Sequence, residues 1–582
     1  MMKPVFKKAA GWLLLIAYTC LPAFASPEDK KNDHRVAEKF LNDFSLSLAS
    51  FKRMNSLLEP GGQDETPVFF SLSRNNHGDS ISPLLPVTEF NRLKGIRPRW
   101  GRAGLELAVL MSYSQARYWI RYSRFIEDWQ FRLTWADQRR RFFTTEALRF
   151  DSNAFYLNWT HAFAGMLYYE FARTNNLSLW QSSIFSIGGS LYWEYIVEWR
   201  EIISINDNIM TAIGGISLGE AWYQLGRYLY NSPNAVGRFL SWLNPYLKFN
   251  DWLDRKKPLS AFHHNYNLSA QDVYLFLGYR RSPVSANPTV NTGNLAFSLH
   301  SRLYTDAGYG LPGRIDEKFT EPLYSQLDFD FMYHGKNREE IGATAKIVPL
   351  GRIKQNISSD GHGYSLYYGL GSSFFLYVKR PITDYDAGKI PVNKPDDFRF
   401  ELPRDFRDKL AAVHLVGPVI EAAWYSGPFK LRLKAEAYPS FGMINSLPLN
   451  GYSADNDIRS MKSTLKFYGY YYAFGPDFES LAEIQYGRLR FQAFSNYVYY
   501  RSIQGLDRFQ NETGDENILP VTDDSVLFDS RWHYGTSIEY RLPGTFFSIT
   551  ASLEAVRRWG RIHDFEERSL EKRLYLGVKY RL

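Results

Sequence analysis

From Phe429 to Ala437 every odd-numbered side chain is apolar and every even-numbered one is charged: Lys430, Arg432, Lys434 and Glu436 alternate with Phe429, Leu431, Leu433, Ala435 and Ala437. Neighbouring side chains on an extended strand point to opposite faces, so this stretch needs water or a polar interior on one side and lipid or a core on the other. The same period of two begins near Asp272 and runs through Gln326 to Tyr333, Trp532 to Leu542, Phe547 to Ala555 and Lys572 to Leu582. Gly427-Pro428, Gly475-Pro476 and Pro543-Gly544 stand between strands as turn residues. A soluble sandwich would alternate too, but its strands usually run to about five or six residues. The chain is also rich in rings, with 40 Tyr, 42 Phe and 15 Trp. The expected fold is α+β: an N-terminal helical domain followed by an antiparallel transmembrane β-barrel of about twelve strands, an even number being favoured because both barrel ends of the chain face the periplasm.

In such a barrel Asp328, Asp330, Lys430, Arg432, Lys434, Glu436, Glu539, Arg541, Glu554, Arg573, Lys579 and Arg581 face the lumen, a mixed-charge lining that suits a hydrated interior. The last strand reads Tyr575-x-Gly577-x-x-Tyr580-x-Leu582, which resembles the signal by which outer-membrane barrels are recognised for insertion. The resemblance implies the barrel-assembly machinery as a partner along Tyr575 to Leu582, with outer-membrane lipid around the barrel.

Residues 1–25 read as a signal peptide. Lys3, Lys7 and Lys8 precede the apolar run Trp12 to Tyr18, and Ala23-Phe24-Ala25 is a small-x-small cleavage site. Cys20, the one cysteine, lacks the small preceding residues of a lipoprotein signal, and its removal leaves a mature chain without disulfides. The net charge of +8 falls by three with the signal's lysines, too mild to argue for nucleic acid. After the signal no stretch of about 18 uncharged apolar residues offers a membrane helix. The expected location is the cell outer membrane, with the N-terminal part in the periplasm.

Residues 26–100 form an N-terminal extension with one helix, Val36 to Leu58. Residues 101–260 form a helical domain, and 265–582 the barrel. Two amphipathic helices are expected between Gly101 and Phe143. In the first, Arg117-Tyr118-Trp119-Ile120-Arg121-Tyr122 fits either a membrane-interface segment or a packing helix with snorkelling arginines. Arg139 to Arg141 fit either a solvated helix end or a contact with anionic lipid headgroups. Further helices are expected at Phe155 to Arg173, Leu179 to Ile202, Asn208 to Tyr230 and Ala235 to Asp254, with Ser178 and Gln181 as a capping box and Lys256-Lys257-Pro258 as the domain boundary.

The densest chemistry lies between Trp193 and Glu220. Glu194, Glu198 and Glu201 form one helical stripe, and like charges so arranged repel unless cations face them. Ser204 is placed to cap a second helix through the amide of Asp207, whose carboxylate sits near the positive end of that helix. Gly215, Gly219, Trp222 and Gly226 share a face that lets another backbone come close, beside a polar stripe of Ser217, Glu220, Gln224 and Arg227.

His161, Gly165, Tyr168 and Arg173, then Gly189-Ser190, Trp193-Glu194, Glu198, Ser204, Asp207, Thr211, Gly214-Gly215 and Gly219-Glu220 together resemble the signature of the bacterial Domain of Unknown Function 3943 family. The resemblance covers roughly Asp151 to Tyr230 and implies an envelope protein, without an established activity. Ala212 stands where the family's helix opening has a proline.

The candidate catalytic residues are His161, Glu194, Asp207 and Glu220, an imidazole and carboxylates that adjoining helices could gather for acid/base work. Arg173, Glu198, Ser204, Asn206 and Arg227 are the candidate binding residues around them. The competing reading is a buried ion-pair network that fixes helix packing. His300 and Ser301 point to opposite faces of a strand and cannot be a catalytic pair. His263-His264 lack metal-ligand spacing, and neither metal nor cofactor is expected. The primary functional reading is a barrel with a periplasmic or lumen-plugging helical domain, acting in transport or envelope lipid handling. The alternatives are an outer-membrane lipid or glycan hydrolase using the His/Glu/Asp cluster and a structural envelope scaffold. In the plugging arrangement Glu194, Glu198 and Glu201 face lumen cations such as Arg432 or Arg541.

Overall fold

A computed structural model of the chain describes residues 97–122, 130–232, 235–256, 271–283, 291–306, 308–334, 337–379, 408–510 and 520–582. The expected signal peptide, the extension with its Val36 to Leu58 helix, the Lys257-Pro258 boundary and His263-His264 lie outside the described residues.

Among the described residues thirteen strands follow the helical layer: β1 (Asp272–Pro283), β2 (Asn291–Tyr304), β3 (Gly313–Phe319), β4 (Tyr324–His334), β5 (Asn337–Ile357), β6 (His362–Lys379), β7 (Lys409–Ser426), β8 (Phe429–Asn445), β9 (Tyr470–Tyr486), β10 (Leu489–Ser502), β11 (Leu527–Arg541), β12 (Phe547–Ile562) and β13 (Phe565–Arg581). Every pairing among them is antiparallel, β13 pairs with β1, and β5 pairs with β6, so twelve strands close into a barrel. The short β3 continues the line of β4 along the far half of β5. Turns are short at one end, as at Gly427-Pro428 and Gly487-Arg488, while the stretches between β8 and β9 and between β10 and β11 are long at the other. These are called the turn end and the loop end below. Gly475 and Pro476 do not turn. They lie inside β9 opposite Ser440 and Pro439, where the β7–β8 ladder shifts register between Glu436 and Ser440. Facing prolines supply no N–H to the ladder, and a strand passes such a spot only by a local irregularity.

The charged face of the alternation is the inner one. Arg490 on β10 reaches Asp272 on β1 at 2.6 Å, Lys346 on β5 reaches Glu436 on β8 at 2.8 Å, and Tyr304 on β2 donates to Glu421 on β7 at 2.7 Å. None of these strands are neighbours in the sheet, so such pairs can only form across the lumen. Arg432 bonds Glu483 at 2.9 Å, and Glu340 takes Arg280 at 2.7 Å and Arg573 at 3.5 Å. Lumen charges therefore neutralise one another instead of lining a wide aqueous space. The opposite face, with Leu277, Ile420, Phe478, Ile538, Leu553 and Leu576 exposed, is the apolar belt of the barrel.

The helices before the strands are α1 (Trp100–Tyr122), α2 (Trp135–Phe143), α3 (Phe155–Arg173), α4 (Leu179–Tyr192), α5 (Ile205–Ile209), α6 (Gly215–Asn231), α7 (Ala235–Leu240) and α8 (Pro245–Leu253), and two short ones, α9 (Leu449–Asp455) and α10 (Ser463–Tyr468), lie between β8 and β9. Ser178 and Gln181 form the capping box of α4. That helix ends sooner than expected, running through a π-turn, Trp193–Val197, to Glu198. A second π-turn, Met210–Gly214, joins α5 to α6, so the chain is nearly continuous helix from Ile205 to Asn231. The last expected helix is split because Asn244 caps a new start at Pro245. Leu148–Arg149 pairs in parallel with Ile203–Ser204, a short ladder unseen in the sequence.

This helical layer packs on the outside of the barrel wall. Trp222 meets Phe329 edge-on with centroids 5.7 Å apart, Gly214 lies against Val413 and Phe374, Ser217 bonds Ser372 at 3.0 Å, and Phe150 stacks on Tyr472 at 4.5 Å. Phe329 sits between Asp328 and Asp330 and so points away from the lumen; the other partners share its outward face. The expectation of a lumen plug is thus corrected. Glu194, Glu198 and Glu201 do not face Arg432 or Arg541, because Arg432 is held inside by Glu483 and Glu421. The wall under the helices is small and apolar, with Ala343, Ala345 and Val413 fully buried, and it accepts a helix face closely. Ser301 does point outward, but under this layer rather than to lipid, while His300 pairs with Asp328 inside.

Candidate functional site

At the loop end the π-turn after α4 and the start of α5 bring a set of buried polar groups together. Glu194 accepts the backbone N–H of Ser204 at 2.8 Å. The Ser204 hydroxyl accepts the Asp207 N–H at 3.3 Å and donates to Asn206 Oδ1 at 3.0 Å, fulfilling the expected cap. Asn206 donates to Asp207 Oδ1 at 3.0 Å and accepts the Asp151 N–H at 3.1 Å. His161 Nδ1 lies 3.2 Å from Asp207 Oδ1 and 2.9 Å from the Leu157 carbonyl. Asp151 accepts from Asn153 and, at 3.0 Å, from the Tyr472 hydroxyl of the barrel wall. Asn158 donates to both Tyr470 and Tyr472 at 2.7 Å, which fastens the cluster to β9.

The three-glutamate stripe is met by neutral donors. Glu198 accepts from the Trp193 indole at 2.7 Å and Glu201 from the Tyr118 hydroxyl. Behind them lies Arg141, fully buried, giving its N–H groups to the carbonyls of Glu194 at 2.5 Å, Tyr195 at 3.0 Å, Glu198 at 3.1 Å and Glu201 at 2.9 Å. A helix C-terminus leaves such carbonyls without partners, and Arg141 supplies them. Both readings offered for the Arg139–Arg141 run therefore fail at Arg141, although Arg139 is exposed. The signal in the sequence is only that α2 is amphipathic and Arg141 falls on its inner side.

Burial pushes the Glu194 carboxyl up to about 8, with Asp151 and Glu201 adding to the shift. Glu198 and Asp207 are also held well above the usual carboxylate range, first by burial and then by neighbouring carboxylates. Carboxyls raised in this way hold their protons more tightly than exposed ones. The cluster is sealed, however, with Glu194, Ser204, Asn206 and Asp207 each at most 3% exposed. Ser204 is spent as a cap, its hydroxyl turned to the Asp207 N–H and to Asn206.

The remaining candidates lie elsewhere. Glu220 accepts from Tyr169 at 2.5 Å, Arg173 at 2.8 Å and Gln224 at 2.6 Å, while Arg227 is paired with Asp251. Asp207 and Glu220 are about 20 Å apart along one helix, so the expected single cluster is two. The second belongs to the turn end, where Arg173 reaches Glu321 at 3.4 Å and Tyr228 donates to the Leu582 carbonyl at 2.7 Å.

Sequence reasoning missed a Ser373–His414–Asp477 chain in the lumen, with Ser373 Oγ 2.5 Å from His414 Nδ1 and His414 Nε2 2.8 Å from Asp477. Among the described residues His414, Asp477 and Glu479 also form the one trio whose ligand atoms lie within 4.8 Å of one another. Lys346 occupies Glu479, and His414 is stacked on Tyr438 at 5.1 Å, so the trio is filled by protein. The residues are far apart in sequence, and no local pattern announces them.

No curated protein matches the chain. Among solved structures it is similar to the beta domain of the Bordetella autotransporter BrkA (10% identity, 54% of this chain and 100% of that one, TM-score 0.19). It is also similar to a Pseudomonas aeruginosa FadL homologue (10%, 55% and 94%, 0.19) and to the translocator domain of the autotransporter NalP from Neisseria meningitidis (9%, 58% and 96%, 0.19). Likenesses this distant carry no argument about function. The barrel itself rests on the closed ladder, the charged lumen and the apolar belt, which are the architecture of outer-membrane barrels. Residues 147–245 match the family model described as Domain of unknown function (DUF3943), in line with the resemblance read from His161 to Glu220, and Asp151, Glu194, Glu198 and Asp207 all lie inside that match.

Proposed function

We propose that this outer-membrane barrel handles envelope lipid from the outside of its wall and does not carry solutes through its lumen. The observation that supports this reading most is the lumen itself, bridged between non-neighbouring strands by Arg490–Asp272, Lys346–Glu436 and Tyr304–Glu421. An interior so occupied offers little path for a solute. The outer wall, in contrast, has an open recess of about 720 Å³ bordered by the outward-facing Tyr368, Leu370, Ile420, Ala437 and Phe478, with Glu436 and Glu479 also in its lining. It opens on the belt, where acyl chains are the available ligand. Short turns face the periplasm in barrels of this type, so the N-terminal part enters from that side, where α1 begins. Insertion through Tyr575 to Leu582 belongs to the same reading, since β13 closes the barrel against β1. At the loop-end cluster Ser204 serves as a helix cap, which weighs against the hydrolase reading.

The test is native mass spectrometry of protein extracted in mild detergent, paired with planar-bilayer recording. Retained phospholipid, lowered by Ala437→Trp in the recess, and a silent bilayer are expected. Steady solute-conducting pores without retained lipid would overturn the reading.

A further inference from the structure

The helical layer is inside out by the standard of a soluble helix, which buries apolar residues and shows polar ones. On α4 the exposed stripe is Trp180 at 46%, Ile184 at 61%, Ile187 at 44% and Leu191 at 45%. Its serines are turned inward: Ser183 donates to the Leu179 carbonyl, Ser186 to the Thr211 carbonyl and Ser190 to Asn208. From Leu179 to Trp193 the chain holds no charged residue. α1 repeats the pattern, exposing Leu105, Val109 and Tyr113.

The height of the layer matches that of the belt. α4 begins at the turn end, where the Trp180 indole donates to the Thr320 carbonyl at 2.9 Å, and its π-turn ends at the loop-end cluster. α1 runs between the same limits, with Arg102 on Asp254 at 3.0 Å at one end and the Trp119 indole on the Val197 carbonyl at 2.8 Å at the other. α6 descends from Val413 and Phe374 to the carbonyl of Leu582. α4, the 14 residues from Leu179 to Tyr192, is about 21 Å long as helix and α1, with 23 residues, about 34 Å, against a hydrocarbon layer of about 30 Å. Exposed rings mark both limits, Trp100 and Trp180 at the turn end and Trp119 and Tyr192 at the loop end, as interfacial aromatics do. No helix among the described residues is long and apolar enough to cross a membrane alone. On α4 each of Ser183, Ser186 and Ser190 has its own helix or a neighbouring one to face, the arrangement polar groups adopt within membranes, and the exposed Arg117 of α1 stands within one turn of Trp119 at the loop-end limit.

We infer that α1 and α4 stand in the hydrocarbon layer of the membrane beside the barrel, with α3 and α6 between them and the wall, and that the Ile184–Ile187–Leu191 and Leu105–Val109 stripes touch lipid acyl chains. The occupant follows from continuity, since these stripes extend the belt formed by Leu277, Ile420 and Leu553. The inference rests on the barrel being inserted, and the test separates the two.

Nitroxide labels are placed on the full chain, with Cys20 replaced where retained, through Ile184→Cys, Ile187→Cys and Val109→Cys. Leu553→Cys on the barrel belt and Arg568→Cys on the exposed hairpin serve as references. Each variant is first checked for unchanged heat-modifiable gel migration, then reconstituted in phosphatidylcholine vesicles. Collision with oxygen and with a water-soluble nickel chelate is read by electron paramagnetic resonance. Helix labels should share the high oxygen-to-nickel ratio of Leu553→Cys. A ratio equal to that of Arg568→Cys would place the helices in water, and shielding from both agents would show a protein partner on the stripe; either overturns the inference. A water-like Leu553→Cys would instead remove barrel insertion itself and the inference with it.

Discussion

The guanidinium of Arg141 donates to the backbone carbonyl of Glu194 at 2.5 Å, and through three more carbonyls it terminates the helix that carries the glutamate stripe. Arg141→Met keeps the bulk and removes the donors, leaving carbonyls that cost about 1 to 3 kcal/mol each when orphaned in a buried site. Limited proteolysis should then open the chain between Trp193 and Ser204. Arg139→Met, at an exposed position on nearly the opposite face of α2, should leave the pattern unchanged.

The crossing of α3 and α6 is a backbone contact. A Cβ on Gly215 would lie 2.6 Å from the Cα and carbonyl carbon of Gly165, and one on Gly165 would lie 1.8 Å from the Thr211 carbonyl oxygen. Gly215→Ala must push the helices apart and should lower stability by about 1 to 3 kcal/mol, the usual range for overpacking. Gly188→Ala, with nothing within 4 Å, should be neutral or mildly stabilising through helix propensity. Thermal unfolding of the two variants in the same detergent makes the comparison.

How much of this was legible in sequence differs between the two layers. The period of two in Phe429 to Ala437 assigns inner and outer faces, and Arg432, Lys434 and Glu436 do face the lumen. The side on which the helices pack was not legible. Ala343, Ala345, Val413 and Phe374 look lipid-facing by alternation, and only their burial shows that helices cover them. The Ser204 cap was readable because it is local, three residues deep. Arg141 was not, because its partners lie more than fifty residues away and a basic run reads as solvated. Separations of 41 residues and more hid the Ser373–His414–Asp477 chain in the same way. The joining of Glu220 to the loop-end cluster failed for a simpler reason, since residues thirteen apart on one helix are far apart in space.

The loop-end cluster should make stability fall with rising pH. Glu194 is held up at about 8 against an ordinary 4.5, chiefly by burial, so the folded state keeps a proton that the unfolded chain gives up. A group raised in this way stabilises fully below about 4.5, and its contribution is lost as pH rises toward and through about 8. Unfolding temperature followed by tryptophan fluorescence should therefore decline across that window. Glu194→Gln keeps an acceptor for the Ser204 N–H and cannot ionise, so its decline should be shallower; an unchanged slope would assign the dependence to Glu198 and Asp207.

The lumen supplies the last prediction. If helices plugged the barrel, removing them would open it, but the closing groups belong to the strands. Arg432 is held by Glu483 at 2.9 Å and Glu421 at 3.8 Å, Lys346 by Glu436 at 2.8 Å, and Arg490 by Asp272 at 2.6 Å. Removing one partner from such a pair leaves a buried charge uncompensated and admits water and ions in its place. In planar bilayers, full-length protein should be silent, and so should a chain starting near Leu259 that retains heat-modifiable migration. Arg432→Ala with Lys346→Ala in the full-length protein should produce conducting steps with cation preference, because Glu421, Glu436, Glu479 and Glu483 then face open space. Conductance from the shortened chain alone would return the closing role to the helices.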